Sequence, residues 1–143
     1  MIRIIVVVLM AVAIYLPASV KVNAAQLVAK IDISDQRLYL YRNGFRTNSW
    51  KISTARRGYR TPTGRYRPQR MYKRYFSRKY HGSPMPHSVF FKGGYAIHGT
   101  NYIKSLGRPA SHGCIRLHPG NAKRFYSLIK RYGAKNTRIV IRR

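Results

Sequence analysis

A single cysteine, Cys114, stands in the segment Ser111-His112-Gly113-Cys114-Ile115-Arg116-Leu117, and upstream lies Ile97-His98-Gly99-Thr100. A thiol with an imidazole in hydrogen-bond reach is the pairing of nucleophilic catalysis, in which the imidazole takes the thiol proton near neutral pH. Arg116 and a helix start at Pro119 supply positive potential, which predicts a lowered thiol pKa. Gly99 and Gly113 leave room for a substrate backbone and offer amide N–H groups suited to the oxyanion of an acyl-transfer intermediate. If residues 111–114 are extended, alternation puts His112 and Cys114 on one side, while His98 must reach in from another strand. The same residues also fit an inert, buried thiol. They fit equally a zinc site with His98, His112, Cys114 and His118 as ligands.

The elements that must position these groups are mostly strands. Residues 28–33 alternate apolar and polar, and residues 38–42 continue as a second strand. Asn43-Gly44 between them and residues 45–54 is a two-residue hairpin signal, since both turn positions need positive φ. A three-strand meander follows. Residues 55–64 hold two Gly, one Pro and three Arg and read as a loop. Residues 65–71 are a further strand candidate, 72–87 a long irregular segment, and 88–98 a strand with Gly93-Gly94 as a kink or bulge. Residues 99–113 form a second loop. Residues 119–132 are the one convincing helix, with Ala122, Phe125, Tyr126, Ile129 and Tyr132 on one face, Pro119 in its first turn and Gly133 as its stop. A β-branched strand over 137–141 closes a mainly β domain.

Composition narrows the chemistry. The chain has 143 residues, 29 basic and 2 acidic, for a formal charge of +27. Asp32 and Asp35 are the only carboxylate side chains, which excludes hydrolysis by a facing carboxylate pair and a calcium or magnesium cage of protein oxygens. One cysteine excludes an internal disulfide. Apolar residues make up 45% of the chain, enough to bury a core. Residues 1–24 read as an export signal: Arg3 first, then thirteen apolar residues from Ile4 to Leu16, then small residues around Ala24. Pro17, Ser19 and Lys21 interrupt that run too early for a membrane span. The expectation is a mature domain over 25–143, located in the periplasm or cell wall, with its charge reduced to +25 by loss of Arg3 and Lys21.

The mature segment resembles the L,D-transpeptidase catalytic domain family of the YkuD type, the cysteine enzymes that cross-link bacterial peptidoglycan. The family signature is a His-Gly pair, then Ser/Thr-His-Gly-Cys, a hydrophobic residue and Arg or Asn. Here it stands as His98-Gly99 and Ser111-His112-Gly113-Cys114-Ile115-Arg116. Further blocks support it: residues 28–32 with 36–41, Ile52-Ser53-Thr54, Thr61-Pro62-Thr63-Gly64, Met85-Pro86 and Gly94-Tyr95-Ala96-Ile97. The resemblance implies a β-sandwich of mixed sheets with one main helix near the C-terminus. It implies Cys114 as nucleophile, and His98 as proton acceptor and donor, oriented by the Gly99 carbonyl. His112 lines the site and helps position the sulfur. The Gly113 and Cys114 amides are oxyanion donors, Ser111 belongs to the substrate and oxyanion group, and Arg116 meets a substrate carboxylate. The donor is a tetrapeptide stem losing its terminal D-Ala. The acceptor is an amine of another stem (a 3→3 cross-link) or of an outer-membrane lipoprotein; water as acceptor makes the same site a carboxypeptidase or amidase. No metal or organic cofactor is implied. Residues 72–87 correspond to a lid, departing from the family at His87-Ser88, where a further aromatic is common.

Residues 65–80 interleave Arg65, Arg67, Arg70, Lys73, Arg74, Arg78 and Lys79 with Tyr66, Tyr72, Tyr75, Phe76 and Tyr80. In a cytosolic protein this is a nucleic-acid footprint. Export redirects the charge to peptidoglycan stems and other anionic envelope polymers, with no physiological nucleic acid expected. A non-catalytic polycationic envelope-binding protein is the reading from another class.

Overall fold

The computed structural model describes residues 26–143; the segment read as an export signal lies outside the described residues. Period-two alternation buries Leu27, Ala29 and Ile31 in β1 (Leu27–Asp32) and Leu38 and Leu40 in β2 (Arg37–Arg42). β2 turns into β3 (Phe45–Ser53) through Asn43 and Gly44, at φ 49° and 86°, which builds the antiparallel meander. The last strand, β9 (Thr137–Arg142), lies parallel to β1, and β4 (Gly64–Tyr66) pairs with its outer edge.

The end of β3 leaves β2 and pairs Ile52 and Ser53 with Leu117 and Arg116 of β8 (Ile115–Leu117). β8 runs parallel to β7 (Tyr95–Gly99), which pairs with β6 (Ser88–Lys92), and β6 with β5 (Arg70–Tyr72). The result is one mixed sheet of nine strands in the order β4-β9-β1-β2-β3-β8-β7-β6-β5. It curls so that both halves contribute to one core, which α1 (Pro119–Tyr132) completes through Ala122, Phe125, Leu128 and Ile129. Tyr126 and Tyr132 are only partly buried. Pro119 opens this helix and Gly133, at φ 89°, ends it, its N–H bonded to the Ile129 carbonyl at 2.8 Å. Among the described residues, no helix is long and apolar enough to cross a membrane.

Two strand boundaries differ from the sequence reading. Residues 88–98 are a hairpin, not one kinked strand: Gly93, at φ 51°, reverses the chain, which apolar content on both sides concealed. Residues 65–71 divide between β4 and β5 on opposite edges of the sheet, because Pro68 between them has no N–H to continue a ladder.

Candidate active site

The parallel β7–β8 ladder sets the geometry. Ile97 pairs with Ile115 and both point into the core, so His98 and its partner Arg116 point to the opposite face. One step earlier in the register, Cys114 falls beside Ala96 on that same face, and the Ala96 N–H reaches Sγ at 3.4 Å. Cys114, His98, His112, Ser111 and Arg116 all line one cleft of about 710 Å³.

His98 is 6% exposed, and its Nδ1 lies 2.7 Å from the Gly99 carbonyl. A carbonyl only accepts, so Nδ1 carries the hydrogen and Nε2 is left as the proton acceptor. Burial, reinforced by the Arg116 charge and opposed by the Gly99 hydrogen bond, lowers the His98 pKa from 6.5 to about 4. Burial also raises the Cys114 thiol pKa, and this outweighs the Ala96 N–H and Arg116, which pull it down. The sequence expectation of a thiolate fails here: in this low-dielectric cleft desolvation wins over one guanidinium, and both groups rest neutral. The sulfur's hydrogen bonds go to backbone, accepting from Ala96 and donating to the Gly94 carbonyl at 3.7 Å, rather than to either imidazole. The α1 N-terminus supplies no partner to it; the Gly120 N–H is capped by His118 Nδ1 at 3.1 Å. His118 faces a different cavity, so the four-ligand zinc arrangement is not assembled.

Residues 111–114 are bent, not extended, with Gly113 at φ 137°, so a turn rather than alternation brings His112 and Cys114 to one cleft. Ser111 Oγ closes that turn, donating to the Cys114 carbonyl at 2.6 Å and accepting the Gly113 N–H at 3.0 Å. Thr61 Oγ1 donates to the Gly113 carbonyl at 2.9 Å and accepts the Ala55 N–H at 3.0 Å. Neither glycine keeps space for a substrate. A Cβ on Gly113 would stand 2.6 Å from Tyr95 Cε1 and 2.9 Å from the Arg60 carbonyl; one on Gly99 would meet Pro86 and Pro119. Their amides are committed too, Gly99 to the Pro86 carbonyl and Gly113 to Ser111. Both positions are glycine because protein packs against them.

His112 is held by residues that spacing alone did not single out. The Tyr80 ring stacks on it at 4.4 Å, Tyr59 meets it edge-on at 4.7 Å, and Arg56 Nη2 lies 3.2 Å from its Nε2. An Arg N–H only donates, so Nε2 is the acceptor and the ring is neutral. Burial, then Arg56, Arg116 and Lys79, lower its pKa. Tyr80 belongs to the 72–87 segment, which forms one wall of the cleft. Arg56 had no signal beyond an Arg-rich loop, and Thr61 only its place in the Thr61-Pro62-Thr63-Gly64 block.

A buried imidazole on β7 and a lone thiol directly before the parallel β8 of a curled mixed sheet define a cysteine acyl-transfer architecture. Residues 26–141 match the L,D-transpeptidase catalytic domain, and the chain belongs to that family. Among solved structures it is similar to an L,D-transpeptidase from Mycobacterium smegmatis, at 22% identity and TM-score 0.73 over 83% of this chain and 59% of that one. It is also similar to an L,D-transpeptidase from Mycobacterium tuberculosis H37Rv, at 18% identity and TM-score 0.75 over 83% and 58% of the two chains. L,D-transpeptidase 3 from Mycobacterium tuberculosis, solved with a faropenem-derived adduct, matches at 17% identity and TM-score 0.73 over 83% and 61%. At these identities the likeness is one of fold, and the chain spans about 60% of the length of those chains. No curated protein sequence matches it.

Proposed function

We propose that the chain is an exported peptidoglycan L,D-transpeptidase acting in the periplasm or cell wall. The observation that carries this reading is the placement of Cys114 and a neutral, acceptor-facing His98 in one cleft. In the proposed reaction, Cys114 turns from the Gly94 carbonyl toward His98. Sγ attacks the carbonyl of the diamino acid at the third stem position as its proton passes to His98 Nε2. The tetrahedral oxyanion is met by the Cys114 amide, since the Gly113 amide is committed to Ser111. Collapse breaks the bond to D-Ala, whose amine takes the proton back from His98 and leaves a thioester. His98 then deprotonates an acceptor amine, which displaces Cys114 and restores the thiol. Arg116 lies half-buried where it would hold a stem carboxylate, and His112 orders the wall beside Cys114. The acceptor is an amine of a second stem or of an envelope lipoprotein. The basic surface serves attraction to anionic stems and envelope polymers.

Two measurements test this. Incubation with a tetrapeptide stem, followed by mass spectrometry, should give free D-Ala and a cross-linked dimer; tripeptide without dimer would assign hydrolysis instead. A penem should add covalently to Cys114, and Cys114→Ala should abolish both the adduct and every product. Product formation by Cys114→Ala would remove the sulfur from the mechanism.

A further inference from the structure

The only two carboxylate side chains are engaged away from the cleft. Asp32 holds the Arg142 guanidinium at 3.4 Å and the Asp35 N–H at 3.0 Å, and Asp35 accepts the Tyr39 hydroxyl at 2.9 Å. The cleft is lined instead by three cations, Arg56, Lys79 and Arg116, with no Asp or Glu among its walls. Arg116 donates to the Ala110 carbonyl at 3.3 Å and lies 5.5 Å over the Tyr102 ring. Arg56 and Lys79 come from two different loops, and both stand near His112. Arg56 lies beside His112 and 5.0 Å over Tyr59, while Lys79 lies 5.5 Å over Tyr80, the ring stacked on His112. Like charges gathered in a cleft without a protein counter-ion repel one another and focus a positive potential there. An incoming anion relieves that repulsion. Arg116 and the Arg56–Lys79 pair offer it two separate places.

We propose that Arg56 and Lys79 form a second carboxylate subsite on the His112 side of the cleft. The donor selected is then a stem peptide whose remaining carboxyl groups are free acids rather than carboxamides. This rests on the reading of the cleft as a stem-peptide acyl-transfer site. A carboxylate offers acceptor oxygens to the Arg56 fork and to the Lys79 ammonium. A carboxamide carries no charge and turns two N–H donors toward side chains that have no acceptor.

The test compares two synthetic tetrapeptide donors that both keep the D-Ala carboxylate and differ only in whether the remaining stem carboxyls are free acids or carboxamides. The readouts are D-Ala release and the mass of the Cys114 acyl-enzyme. The wild-type kcat/KM should favour the free-acid donor at least about tenfold, the scale of a charge-assisted hydrogen bond. That ratio should fall several-fold in Arg56→Gln and in Lys79→Gln, fall furthest in the double variant, survive in part in Arg56→Lys, and shrink with added salt. Equal turnover of both donors by the wild-type enzyme, or a ratio unchanged in the variants, overturns the subsite and leaves the transfer reading standing. D-Ala release from neither donor removes the transfer reading and the subsite together.

Discussion

Acid pH separates a desolvated His98 from an ordinary imidazole. His98 is 6% exposed, and its pKa falls from 6.5 to about 4, chiefly through burial. At pH 5 a base with a pKa of about 4 is ~90% neutral, whereas one at 6.5 is only ~3% neutral. Acylation of Cys114 by a penem should therefore keep most of its pH 7 rate at pH 5, where an unperturbed imidazole would lose about 25-fold. The assay is stopped-flow loss of penem absorbance, with the adduct confirmed by mass spectrometry. The same titration acts on the fold. The unfolded chain binds this proton at a higher pH than the native state, so the stability involved is complete above pH 6.5 and lost as pH falls through about 4. The total is about 3 kcal/mol. A thermal melt at each pH therefore accompanies the rates, which are compared only where the protein is folded. Arg116→Gln removes a charge that holds His98 down, so its acid limb should move to higher pH. An acid limb near pH 6.5 in folded wild-type enzyme would refute the buried neutral base.

Four other outcomes follow from the same geometry. Difference ultraviolet spectra against Cys114→Ser should show no thiolate up to about pH 8, and iodoacetamide should react slowly there, because burial raises the thiol; a thiolate signal at neutral pH would mean an ion pair instead. Gly113→Ala places a Cβ 2.6 Å from Tyr95 at φ 137°, so a loss of about 1–3 kcal/mol in denaturant midpoint with collapse of acylation is expected; wild-type stability and rate would contradict it. Thr61→Val keeps the shape but strips both hydrogen bonds to Ala55 and Gly113, which should cost about 1–3 kcal/mol and lower kcat more than it raises KM. Retention on isolated peptidoglycan should weaken steeply between low and high salt, and salt-independent retention would exclude an electrostatic role for the basic surface.

What was legible before the fold was local. Alternation in residues 28–33, the Asn43-Gly44 turn and the apolar stripe of α1 report directly on neighbours a few residues away, and the structure carries all three. The cysteine and histidines stood out by rarity and motif, and they meet in one cleft. Errors began where distant segments decide. The turn at Gly93 depends on β6 and β7 finding each other, and the division at Pro68 depends on which sheet edge each half meets. Gly99 and Gly113 were read as open space, but Pro86, Pro119 and Tyr95 come from elsewhere in the chain to fill it.

The state of the site shows the same division most clearly. From residue types alone, Arg116 and a helix start beside Cys114 argue for a thiolate. Only the tertiary structure decides otherwise, because the cost of desolvating a charge sums over every neighbour that excludes water, while the sequence displays only the nearby cations. The hold on His112 by Arg56, Tyr59 and Tyr80 is likewise a product of three-dimensional packing. The sequence by itself singled out Cys114, His98 and His112 by type and motif, and they line one cleft. The curled sheet decided their protonation, their partners and the cations that surround them.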